Sequence, residues 1–215
     1  VGDSGDTLAL AVDDVTGFNV GSDAAGDVLY NDGTDYTRLA KPGTPADEVL
    51  TFATGATAPS WVAAAGGLFS GYAIFCDQKT LGDPGGTFTS GAWRVRDLNT
   101  TIANTDTTNI ALGTNQFTLQ AGNYYINWHA VAGAPNMSAH QSGLHDASSF
   151  VQMGKSMRNW TATGDSSGFA RVTPGSATTY TIQHRCQTTT TTTGFGWDGD
   201  FAVEIYTVVE IFKEA

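Results

Sequence analysis

From about residue 70 onward, apolar and polar residues alternate in short runs broken by Gly, Pro, Asn and Asp. The clearest run is the last, FAVEIYTVVEIFK at 201–213. There Phe201, Val203, Ile205, Val209 and Ile211 share one face and Glu204 and Glu210 the other, the period-two signature of a strand with one buried side. Tyr206, Val208 and Phe212 make the second face apolar as well, which predicts a strand covered on both sides. The same pattern predicts strands over Tyr72–Asp77, Trp93–Leu98, Asn109–Leu112, Gln116–Leu119, Tyr124–Val131, Gly168–Val172 and Tyr180–Cys186. Gly143–Asp146 and Phe150–Met153 are less marked candidates. In the 124–131 run, Tyr124, Ile126 and Trp128 fall on one face. Short strands at this spacing, with turns such as Asp83-Pro84-Gly85-Gly86, predict an all-β, antiparallel fold, a β-sandwich or jelly roll.

Residues 1–65 are patterned differently. DVLYNDGTDYTRLA at 27–40 and EVLTFATGATAPSWVA at 48–63 each start with an acidic residue and Val-Leu, turn at a Gly, and return on an aromatic (Tyr36, Trp61). Asn31-Asp32-Gly33 suits a tight hairpin because these residues tolerate positive φ. Neither hairpin carries enough apolar residues to fold alone, so each needs a further surface to cover it. Ala63-Ala64-Ala65-Gly66-Gly67 reads as a linker. The expected organisation is a β-hairpin neck over 1–65 and a β-sandwich over 66–215.

Composition narrows the function. Charged residues make up 14% of the 215, against roughly a quarter in an average globular protein, so Thr, Ser, Asn and Gln must fill the surface. The net charge of −11, with ten basic residues and no basic run, argues against nucleic acid as a partner. No stretch approaches the ~20 apolar residues of a membrane span, so no membrane insertion is expected. Nothing at the front resembles a signal peptide, and a chain that opens at Val1 rather than Met reads as trimmed or partial, which leaves export open.

The search for chemistry is mostly negative. Cys76 and Cys186 each share a strand face with apolar residues, which fits two buried thiols; a bridge between the sheets is the alternative. The 21 acidic residues are scattered, many in turns, and no spacing singles out the carboxylate pair that glycoside cleavage requires. His140, His145 and Asp146 match no metal-ligand spacing, and His184, alternating with Ile182 and Cys186, reads as a hydrogen-bonded core histidine. Arg94 and Arg96 pair with Asp97 or a neighbouring chain, or form a solvated face. Thr188–Thr193 reads as a solvated loop. No enzyme activity, cofactor or metal is expected.

Six segments then line up with a known pattern: DQK at 77–79, GGTFTSGAWRVRDLN at 85–99, NQFTLQAGNYYINWHA at 115–130, IQHRC at 182–186, GFG at 194–196 and EIYTVVEIFK at 204–213. In order and spacing they resemble the C1q/TNF-like jelly-roll knob of bacteriophage tail-fibre and related appendage proteins. The segment GDVLYNDGTDYTRLAKPGTPADEVLTFATGATAPSW at 26–61 resembles a short module of such fibres. The chain has no long shaft, unlike a full fibre. The resemblance implies a homotrimer packed through its sheets, a neck contacting other virion proteins, and a knob adhering to a host cell-surface glycan or protein. A capsid-attached head fibre or decoration protein is the alternative, and a glycan-cleaving tailspike the alternative of another class. Tyr125, Trp93 and Tyr206, on the less apolar faces of their strands, are the expected interchain aromatics. The 133–165 region departs most from the pattern and is the expected receptor-contact region, through Asn136, Met137, His140, Met157, Asn159 and Trp160. Trp197 and Asp198 form a second candidate.

Overall fold

The structure is a computed structural model that describes residues 24–34, 36–43, 47–64, 67–133, 138–159 and 163–215. The chain divides into two compact units, residues 1–65 and 66–215.

In the first unit, β1 (Val28–Asn31) pairs with β2 (Tyr36–Leu39), and β3 (Glu48–Thr51) with β4 (Ser60–Ala63), both antiparallel. The Asn31-Asp32-Gly33 turn closes as its chemistry predicts. Asn31 Oδ1 accepts from the Gly33 amide at 2.8 Å, and Gly33 sits at φ 100°. The two hairpins are tied by the Trp61 indole, whose Nε1 donates to the Ala40 carbonyl at 2.9 Å. Leu29, Tyr36, Val49, Leu50, Phe52 and Val62 stay exposed, so two-stranded hairpins this short bury little of their own apolar surface.

The second unit is a sandwich of two antiparallel sheets. One has the order β13 (Gly164–Val172), β10 (Tyr124–Ala132), β15 (Glu204–Glu214), β5 (Phe69–Lys79), β7 (Thr100–Asn104). The other runs β12 (Phe150–Asn159), β11 (Ser138–His145), β14 (Thr178–Cys186), β9 (Gln116–Leu119), β8 (Ile110–Gly113), with β6 (Arg94–Val95) also on β14. From β9 onward the chain crosses repeatedly between the sheets, so sequence neighbours are seldom sheet neighbours; this is a jelly roll. The core between the sheets is Phe75, Phe117, Leu119, Tyr124, Ile126, Trp128, Leu144, Ile182, Val209 and Ile211, all fully buried. Tyr124, Ile126 and Trp128 share the inner face as their alternation predicts.

Several expectations are corrected. The run 93–98 contributes only Arg94–Val95 as strand; beyond it Arg96 and Leu98 turn into the core as irregular chain. Strand β7 was not expected, because Thr100-Thr101-Ile102-Ala103-Asn104 does not alternate. Phe201, Val203 and Ile205 are exposed, the first two before β15 begins, so none of the three shares a buried face with Val209 and Ile211. A register shift between Ile205 and Thr207 turns both Tyr206 and Thr207 inward, which removes Tyr206 from the interchain candidates. The 133–165 region carries β11 and β12 at much greater length than its pattern implied.

Candidate functional site: an aromatic sheet face, a buried polar seam and an open cleft

Three features of the second unit stand out. The first lies on the outer face of the five-stranded sheet. Tyr125 of β10 is in register with Phe212 of β15, and Phe212 with Tyr72 of β5. On β13 the flanking position is Arg171, with Phe169 one step along the same face. The rings form two contacting groups side by side: Phe169 and Tyr125 stack with centroids 6.4 Å apart, while Phe212 lies 6.5 Å from Tyr72 and 5.1 Å from Phe69. One aromatic band therefore crosses four neighbouring strands. Its members remain in contact with solvent; Phe169 is 63% exposed. At its border the Arg171 guanidinium makes a bidentate pair with Glu214, both contacts at 2.6 Å, and the His129 ring meets Asp165 at 2.8 Å. An apolar centre with a paired polar border is the anatomy of a protein–protein interface.

The second feature is a polar seam inside the sandwich. Arg96 is 1% exposed; its Nε donates to Thr207 Oγ1 at 2.7 Å and its Nη2 to the carbonyls of Phe195 and Tyr206, each at 3.0 Å. The guanidinium also stacks over the Phe195 ring at 4.3 Å. Burial lowers its pKa to about 10, against the pull of the Asp77, Asp97 and Asp165 carboxylates, so it stays charged at neutral pH. The inward turn at Tyr206 and Thr207 is what presents these acceptors. Next to it, His140 on β11 and His184 on β14 share a hydrogen bond, Nδ1 to Nε2, at 3.0 Å. Burial drives both pKa values down, His140 to about 4, and the Arg96 charge pushes them the same way. Phe88 and Phe195 both pack against the His184 ring. His184 is thus a buried, hydrogen-bonded core histidine, and the two cysteines are free and buried. Burial also raises the Cys186 thiol, to about 11, and Cys76 rises for the same reason, so neither is poised as a nucleophile. Among the described residues no group of three or more His, Cys, Asp and Glu is placed to hold a metal ion.

The third feature is a cleft of about 550 Å³ on the outer face of the six-stranded sheet, between the Ser90–Trp93 segment and β12. Its lining includes Trp93, Gln141, Ser156, Met157 and Arg185. A second, of about 420 Å³, lies between β12 and the β10–β13 pair, with His129, Lys155 and Phe169 in its lining.

The structure separates the expected contact residues. His140 lines the cleft but is 3% exposed, with its side chain on an inner face, so it offers a surface partner almost nothing. Met157, opposite it, is half-buried and borders the cleft. Asn159 ends β12, in register with Ser138. Asn136, Met137 and Trp160 lie outside the described residues. Trp197 is half-exposed after the Gly194–Gly196 turn, and Asp198 beside it is half-buried. Glu204 holds their loop by accepting from the Gly199 and Asp200 amides, at 3.0 and 2.9 Å. The receptor reading of the sequence overlooked Trp93, Gln141 and Arg185. They come from three separate segments, and only the β11–β14 register brings Gln141 opposite Arg185.

No family model matches the chain, and no curated protein matches it. Solved structures do. Murine APRIL aligns at a TM-score of 0.43 and 4% identity over 66% of this chain and 98% of that one. The globular domain of zebrafish complement 1qA aligns at 0.40 and 14%, over 66% and 96%. The vertex protein P5 of PRD1 aligns at 0.41 and 15%, over 69% and 98%.

Proposed function

We propose that this chain is a structural virion protein: the subunit of a trimeric bacteriophage fibre or spike on the particle surface, whose knob adheres to the host. The observation that carries the reading is the aromatic band across four strands of one sheet. A solvated band of five rings is costly on an isolated chain and is accounted for if copies pack through this face. The resemblance of six segments to phage-appendage knobs supplies the threefold symmetry and the particle setting. The hairpin unit, with its exposed apolar residues, would be the part that grips other virion proteins.

A head fibre or decoration protein is the reading that differs in which end does the work. The test is to mix the labelled chain with host cells and with particles lacking it. Both readings allow binding to particles through the hairpin unit; adhesion predicts binding to cells as well, blocked by substitutions in the knob, whereas decoration predicts binding to particles and none to cells. A glycan-cleaving enzyme would need two facing carboxylates, and among the described residues neither cleft presents one in its lining.

A further inference from the structure

We propose that the cleft on the outer face of the six-stranded sheet binds an anionic saccharide, one that carries a carboxylate or a phosphate. The inference deepens the adhesion reading above and takes its biological role from it. The floor is a cross-strand row: Ser156 of β12, Gln141 of β11 and Arg185 of β14 lie in register and so project from the same face. The Gln141 amide is held in place by its bond from Nε2 to the Gly154 carbonyl at 2.8 Å. The facing wall is the Ser90–Trp93 segment. It is fixed by the Ser90 amide donating to Thr189 Oγ1 at 3.0 Å and by the Trp93 indole packed on Phe150 with centroids 4.5 Å apart. Gly91 lines the cleft at φ 89°, a conformation that leaves the wall without a side chain there. A half-buried indole braced on one side offers its remaining surface to the apolar face of a sugar ring, while amide and hydroxyl groups supply partners for sugar hydroxyls.

Charge decides the ligand class. The chain carries 21 acidic residues and a net charge of −11, yet among the described residues that line the cleft none is acidic. Arg185 is the one charged group there; it is exposed and makes no ion pair or side-chain hydrogen bond among the described residues. Elsewhere Arg38, Lys79 and Arg171 are each matched to a carboxylate. An unmatched guanidinium in a cleft without carboxylates, on an otherwise acidic protein, is a site for an anion, and its planar fork suits a carboxylate or phosphate held by two bonds.

The experiment uses the full chain on immobilised probes: an oligogalacturonate, a phosphorylated oligomannose, and neutral oligomers of glucose and mannose. The expected result is at least tenfold stronger binding to one anionic class than to the neutral probes, weakened by salt, with the two anionic arms telling carboxylate from phosphate. Arg185→Glu should abolish that preference and Arg185→Lys restore part of it, at an unchanged unfolding midpoint because Arg185 is exposed. Trp93→Ala should weaken whatever binding remains. Equal binding to charged and neutral probes, no binding to any probe, or anionic binding that survives Arg185→Glu would overturn the proposal. Adhesion to host cells that persists in Arg185→Glu would overturn the cleft as the adhesive site and leave the adhesion reading standing. A chain that selects anionic probes through Arg185 but adheres to no cell in a strain panel would do the reverse.

Discussion

At Arg96 a charged group is held in the sandwich by contacts to two carbonyls, one hydroxyl and one ring, two of them on β15 and two from Phe195. Removing it leaves those acceptors buried without a donor, so Arg96→Met should lose about 3 kcal/mol despite its better match to an apolar core. Urea unfolding of the variant measures this, and a loss below 1 kcal/mol would contradict it. The neighbouring histidines set an acid limit. His140 titrates near 4 in the folded chain and near 6.5 when free. Between those values the unfolded chain binds more protons, so stability must fall as pH drops from 6.5 towards 4. The gap corresponds to roughly 3 kcal/mol for His140, and His184 acts in the same direction. Unfolding midpoints at pH 7.5 and 4.5 test this; equal midpoints would show that the pair is protonated or solvated in the fold. The alternation at 182–186 made His184 readable as a core residue from sequence. The place of Arg96 was not readable, because nothing local tells that strand β6 ends one residue before it.

Among the elements, β10 was legible because its inner positions are uniformly large and apolar, and β9 because it alternates between clear turns. Strand β15 was legible as a strand but not in its facing. Its bulge puts Tyr206 and Thr207 on the same side, and a period-two count cannot foresee an inserted residue. The closeness of β13 to β10 depends on Gly168, in register with Trp128: a Cβ there would collide with the indole ring. Trp128 cannot yield easily, since its Nε1 donates to Ser142 Oγ at 2.9 Å and Ser142 in turn donates to the Ser166 carbonyl at 2.7 Å. Gly168→Ala should therefore cost about 2 kcal/mol or more and lower the melting temperature by several degrees. A melting curve that overlays the parent would mean the two strands and the indole adjust there without strain.

For the whole molecule, an antiparallel sandwich and its hairpin preface were legible from strand spacing and turn chemistry and the jelly roll from the resemblance of six segments, whereas the aromatic band was legible only in part. Tyr125 was visible as an outward aromatic. Its alignment with Phe212, Tyr72 and Phe169 needs the register of four strands that are far apart in sequence. The band makes a specific demand on assembly. Phe169→Glu places a charge at the exposed end of the band, where a single chain tolerates it and a packed interface does not. The variant should keep its β-sheet circular dichroism and its folding but lose its partners at micromolar concentration; unchanged assembly would move the interface to another face.

The most direct measurement is the solution mass of the full chain by light scattering, alongside Phe169→Glu. The account predicts three chain masses for the parent and one for the variant. A parent chain that is monomeric under native conditions would contradict it.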